Sequence, residues 1–171
     1  MRRFLQLVVF LFYATQVSAQ SVTGAATALD ADTVNVAGTR VLLHGIESVE
    51  AGQPCIINGQ IWDCYPAALR ALETLVSLSD VTCEFVGEPD RFRRVLGVCH
   101  VAGKNINLDL VATGWAVAKR NETEEYVPAE ETARAQGLGL WQSSFDNPTA
   151  FRESQGIFID RQIFRPRPTQ P

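Results

Sequence analysis

Between Thr23 and His44, apolar and polar positions alternate in short bursts of β-branched and small residues, interrupted by Asp30-Ala31-Asp32 and by Ala37-Gly38. Period-two runs broken by turn residues predict three short strands joined by tight turns. The pattern lapses from Ala51 to Tyr65, where Gly52, Pro54, Asn58 and Gly59 predict an exposed loop. Pro66 then opens a stretch in which Leu69, Leu72 and Val76 recur at helical spacing, and the helix is expected to end near Ser79-Asp80. Period two returns in Val81 to Val86 and Val95 to Val101, two strands that would pair antiparallel.

Asn105 to Ala112 reads as a short helix that turns Ile106, Leu110 and Val111 inward, with Gly114 following as a cap. A last helix starts at Pro128 and stops at Gly137, because proline suits a first turn and Glu130 and Glu131 complement its dipole. From Asn147 onward no period is visible, and Arg165 to Pro171 is expected to be a mobile tail. Strands, a helix, two strands and then short helices predict a β-rich α+β fold: a small antiparallel barrel of the OB type, five-stranded and capped by about three helices.

With 171 residues and 46% hydrophobic content, the chain supports one compact domain. Its start changes the picture. Arg2 and Arg3 precede an apolar run from Phe4 to Tyr13, and Val17-Ser18-Ala19 supplies small residues for cleavage, so residues 1–19 read as a secretory signal. The apolar run is well below the roughly 20 residues that span a bilayer. We therefore expect an exported, periplasmic or extracellular monomer without membrane attachment, a folded domain over 20–146 and an extension over 147–171. Losing the signal lowers the 15 basic residues to 13 against 19 acidic, a formal charge of −6. That balance argues against strong general polyanion binding, although Arg91-Phe92-Arg93-Arg94 is a local basic patch.

Four cysteines in an exported chain allow three disulfide pairings. Cys83 and Cys99 lie in the two strands expected to pair, while Cys55 and Cys64 bracket the predicted loop. These placements favour Cys55–Cys64 and Cys83–Cys99, each contributing about 2–3 kcal/mol by restricting the unfolded chain. A zinc site lacks its usual CxxC spacing, and His44 and His100 lie near no such cluster.

Two acidic clusters carry the chemistry: Asp30-Ala31-Asp32-Thr33 and, one strand later, Glu47-Ser48-Val49-Glu50, with Arg94 beyond. Grouped carboxylates can hold a hard cation and activate water. Between them, Arg40-Val41-Leu42-Leu43-His44 carries an apolar residue where phosphate chemistry would use a second arginine. Asn121-Glu122-Thr123 matches a glycosylation sequon.

From about Thr23 to Trp141 the chain resembles the thermonuclease, or staphylococcal-nuclease-like, family of OB-fold phosphodiesterases. The resemblance is carried by Leu29-Asp30-Ala31-Asp32-Thr33-Val34, His44-Gly45-Ile46-Glu47-Ser48-Val49-Glu50, Asp90-Arg91-Phe92-Arg93-Arg94-Val95-Leu96, Asn107-Leu108-Asp109-Leu110-Val111 with Gly114-Trp115-Ala116, and Gly139-Leu140-Trp141. It implies calcium-assisted attack of water on a phosphodiester of nucleic acid. By that resemblance Asp32, Glu47 and the Ser48 carbonyl hold calcium, Glu50 is the general base and Arg94 clamps phosphate.

The departures from the family pattern matter as much. Glu47 stands where the family has aspartate, and its extra methylene moves the carboxylate by more than about 1 Å, enough to cost about 10²-fold in rate. Leu42 occupies the place of the first catalytic arginine, a loss of about 10²–10³. Arg40 and His44 share its face but lie about 6.6 Å away along the strand. Val49 replaces a proline, Arg93 a glycine, and Lys119 a frequent aromatic. Arg40, Arg91 and Arg93 remain as further substrate contacts. The expectation is thus a calcium-dependent nuclease of weak or absent activity on single-stranded nucleic acid or nucleotides. The alternative is a silent OB-fold module that binds a protein, glycan or oligonucleotide.

Overall fold

The computed structural model describes residues 20–89, 94–159 and 164–166. The signal segment 1–19, together with Arg91 and Arg93, lies outside these residues. The chain starts with β1 (Ser21–Gly24) and β2 (Ala26–Asp30), separated only by Ala25. Then come β3 (Thr33–Val36), β4 (Thr39–Leu43), β5 (Ile46–Glu47), β6 (Pro54–Ile57) and β7 (Gln60–Asp63). Helix α1 (Tyr65–Val76) leads to β8 (Val81–Val86), β9 (Val95–Val101) and β10 (Lys104–Asn105). Helix α2 (Ile106–Ala112), β11 (Val117–Ala118), α3 (Val127–Ala135), a 3₁₀ turn at Gly139–Gln142, β12 (Ser144–Phe145), α4 (Pro148–Ser154), β13 (Ile157–Ile159) and β14 (Phe164–Pro166) complete the order.

The main sheet runs β1-β8-β9-β4-β3-β2, with β10 added to β9. All its pairs are antiparallel except β4 with β9, which run parallel in the register Val41↔Val95, Leu42↔Leu96, Leu43↔Gly97. This corrects the all-antiparallel expectation. A parallel pair needs a long crossover, which α1 and β8 supply.

Alternation along β4 decides the two sides of the sheet. Val41 and Leu43 are buried in the main core with Val34, Val36, Leu72, Val81, Cys83, Cys99, Ile106 and Leu110, while Arg40, Leu42 and His44 turn the other way. The main core is closed by α1, which buries Leu72 and Val76 in it, and by α2, which buries Ile106, Leu110 and Val111 as the spacing predicts. Leu69 is only half-buried, and α1 stops at Val76, short of Ser79. Asn107, also buried on α2, accepts from Cys99 N at 3.0 Å and donates to His44 O at 2.8 Å and Gly97 O at 3.1 Å, pinning the helix across the β4–β9 junction. Helix α3 ends at Ala135, ahead of Gly137.

Both favoured disulfides are present, Cys83–Cys99 across the β8–β9 pair and Cys55–Cys64 at the edge of a second, smaller core. The segment expected to be a loop is a hairpin of β6 and β7. Asn58 and Gly59 both have positive φ, 52° and 77°, the requirement of a two-residue type I′ turn, so the asparagine-glycine pair forms a hairpin where loop composition alone was read. Strand β12 joins the other edge of β6 through Ser144↔Ile56 and Phe145↔Cys55.

Candidate functional site

The smaller core explains how the acids are held. Ala31 and Val49, the apolar residues inside the two acidic clusters, are each 1% exposed and pack with Cys55, Cys64, Ala68 and Leu140. Each is an apolar anchor beside the carboxylates of its own cluster. Asp30 Oδ1 accepts from Ala31 N at 2.8 Å and Asp32 Oδ1 from Thr33 Oγ1 at 2.9 Å, which fixes the first turn. The second cluster follows Gly45, whose φ of 76° and close packing on Tyr126, 2.8 Å from where a Cβ would lie, exclude any side chain. Pairing of β5 with β11 aligns Glu47 with Val117, and Lys119 N donates to Gly45 O at 2.8 Å, so Lys119 arrives beside Glu47.

A pocket of about 950 Å³ is lined by Asp30, Asp32, Arg40, Leu42, Glu47, Glu50, Arg94, Lys119, Thr149 and Arg152, among others. The structure thus brings together Asp32, Glu47, Glu50, Arg94 and Arg40, and Leu42 lies among them. The parallel β4–β9 register is the reason that Arg94, just before Val95, comes next to Arg40 and Val41. Ser48 is buried, with its hydroxyl donating to Trp115 O at 2.7 Å, and is not on the pocket wall.

The last helix changes the chemistry of the pocket. Asn147 caps α4, accepting from Thr149 N at 3.0 Å, with Pro148 in the first turn. Arg152, 7% exposed, donates from Nη1 to Glu50 Oε1 at 2.5 Å and from Nη2 to Glu47 Oε1 at 2.6 Å. Lys119 Nζ lies 2.7 Å from the same Glu47 oxygen, and Thr149 Oγ1 donates to Glu47 Oε2 at 2.5 Å. The linker is tied to the acidic loop by one amide: Gln53 Oε1 accepts from Glu50 N at 3.0 Å while its Nε2 donates to Asp146 O at 2.7 Å.

The carboxylates respond oppositely. Burial above all, then repulsion from Asp30, pushes the Asp32 carboxyl from 3.8 up to about 6, against the Thr33 hydrogen bond. Burial would also raise Glu47, but hydrogen bonds from Lys119 and Thr149 and the charges of Lys119 and Arg152 outweigh it and hold that carboxyl below its usual value. Arg152 is driven further toward its charged form by Glu50 and Glu47, against the effect of its own burial.

These residues do not fit a calcium shell as they stand. Among the described residues no group of three or more acidic, histidine or cysteine side chains is placed to hold a metal. The Glu47 and Glu50 oxygens are instead held by an ammonium and a guanidinium. A cation about 4 Å from either would be repelled by about 4 kcal/mol per unit charge at an effective dielectric of about 20.

Sequence reasoning missed Arg152, Thr149 and Gln53, and read Lys119 only as a lost aromatic. The signal for α4 was present in Asn147-Pro148, a cap residue followed by proline, without any apolar period behind it.

Comparison with known proteins places the chain in a family. Residues 40–143 match the family described as staphylococcal nuclease homologue. The succinoglycan biosynthesis protein ExoI of Rhizobium meliloti (strain 1021) is 34% identical over 139 residues, covering 79% of this chain and 72% of that protein. A protein of Haemophilus influenzae named as an uncharacterized endonuclease is 33% identical over 100 residues, 56% of each chain. With a mixed α+β architecture, the two acidic turns and Arg94 around one pocket, and these matches, the chain belongs to the OB-fold family of staphylococcal nuclease homologues.

Proposed function

We propose that this protein is an exported nuclease-family member whose pocket receives a phosphodiester of single-stranded nucleic acid or a nucleotide, with hydrolysis weak or absent. The observation that carries the reading is the Arg152 guanidinium on Glu50. A carboxylate that already accepts a charge-assisted hydrogen bond from a buried arginine is a poorer acceptor for a proton of water. Leu42 in the pocket wall removes a second phosphate donor, for a further cost of about 10²–10³ in rate. Arg40 on β4 and Arg94 just before β9 both line the pocket and would meet a phosphate; Arg91 and Arg93 are proposed as further contacts from the sequence alone.

The calcium-dependent hydrolysis implied by the family would need Glu47 and Glu50 released from their present partners. We read β2 and β1 as one bent strand that pairs with β3 at one end and β8 at the other, closing β3, β4, β9 and β8 into the expected five-stranded barrel. Two disulfides support an oxidising compartment, periplasm or medium. Among the described residues no helix is long and apolar enough to cross a membrane.

The test is hydrolysis of single-stranded DNA and RNA by the oxidised mature protein, with and without calcium, beside Glu50→Gln and Leu42→Arg. Slow calcium-dependent cleavage that Glu50→Gln abolishes and Leu42→Arg accelerates about 10²-fold supports the reading. Rapid cleavage untouched by Glu50→Gln overturns it. If the parent and Leu42→Arg are both silent yet retain a fluorescent oligonucleotide, and Arg94→Ala loses it, the pocket is a binding module.

A further inference from the structure

We propose that Arg152 stands in for a divalent cation and is the residue that decides whether this pocket takes calcium. The inference deepens the nuclease-family reading of the same pocket and rests on it. Three carboxylates, Asp32, Glu47 and Glu50, face one space, and like charges so placed need a compensating cation. Here the chain supplies it. A single planar guanidinium bridges Glu50 and Glu47 through different nitrogens at 2.5 and 2.6 Å, while Lys119 shares the same Glu47 oxygen and Thr149 donates to the other. A metal would do the same by direct coordination, so the two occupants compete for the same oxygens.

The supply is tethered, and the tether is independent of the arginine. Phe145 pairs with Cys55, Gln53 Nε2 donates to Asp146 O, and Asn147 caps the helix, so α4 is delivered to the pocket by contacts that do not involve Arg152. Its apolar grip is slight. Of its seven residues only Pro148 and Arg152 are buried, and the helix lies beyond the segment that matches the family. A short element with so little buried apolar surface belongs to the least stable part of a fold and can detach while the cores stay intact. Detachment of α4 would take the arginine with it and leave the pocket open to a divalent ion.

The experiment is calcium binding by calorimetry and calcium-dependent melting of the oxidised full-length mature protein, beside Arg152→Met, with magnesium as the comparison ion. The parent should show little response. Arg152→Met should melt lower in chelator, bind calcium at least about 10-fold more tightly than the parent and recover its melting temperature saturably as calcium is added. Adding Glu47→Gln to Arg152→Met should remove the gain. Equal calcium affinity in parent and Arg152→Met, or no calcium binding by a folded Arg152→Met, overturns the proposal, as does a gain that survives Glu47→Gln. Should Arg152→Met not fold, Arg152→Gln decides by the same comparison, since it removes the charge but keeps a polar side chain and should bind calcium more tightly than the parent. None of these readouts involves nucleic acid, so failure to cleave DNA or RNA leaves them interpretable.

Discussion

Strand β4 separates two interiors built on opposite principles. On one side Val41 and Leu43 enter an apolar core, and on the other Arg40 and Leu42 border a pocket in which buried charges are matched against one another. The apolar side is assembled from residues that repeat along each element, and any of several side chains of the right size would serve. The ionic side depends on single atoms: Arg152 meets Glu47 across 105 residues of sequence, on the same carboxylate oxygen that Lys119 reaches. Packing tolerates variation, whereas a buried ion network loses everything when one member leaves.

The contrast can be broken first in the apolar core. Leu72→Ala, at a fully buried position of α1, should cost about 4 kcal/mol by denaturant unfolding, with the same loss whether salt, pH or calcium is varied. Arg152→Met should cost about 3 kcal/mol in chelator, because Glu50 loses its partner and Glu47 keeps only Lys119 and Thr149, but that loss should shrink at low pH. A loss insensitive to pH would mean that Arg152 acts by packing, and the contrast between the two interiors would fail.

Asp32 sharpens the comparison through its sign. Its carboxyl binds a proton more tightly in the folded chain, near 6, than at the ordinary 3.8, so its contribution to stability is complete below about pH 3.8 and lost as pH rises through about 6. Asp32→Asn should therefore be more stable than the parent at pH 7, by about 2 kcal/mol, and the gap should close below about pH 4. Glu47 runs the other way: its lowered carboxyl contributes above its ordinary 4.5 and loses that contribution as the solution becomes more acidic. The smallest effect belongs to Thr149→Val, which removes the hydroxyl from Glu47 and should cost about 1.5 kcal/mol at neutral pH.

What the sequence disclosed follows the same division. Val34, Val36, Val41, Leu72, Ile106 and Leu110 were legible because burial repeats with the period of the element that carries it. The two disulfides were legible because their cysteines lie in segments that must meet. The acidic turns and Arg94 were legible as a family pattern, and the pocket does gather them. Arg152 was not, because an ion pair between distant segments leaves no periodic trace and the helix that presents it buries only two residues. Nor was the β6–β7 hairpin, where glycine, proline and asparagine content hid the two-residue turn at Asn58-Gly59.

Gln53 gives this architecture a means of being observed from a distance. Its side-chain amide receives the backbone N–H of Glu50 and hands its own N–H to Asp146, so the acidic loop and the strand leading to the last helix share one side chain. The Glu50 amide proton is consequently a reporter of the opposite end of the domain: its exchange with solvent deuterium should quicken whenever the C-terminal segment lets go, at rates that count the excursions of a helix it never touches through its backbone.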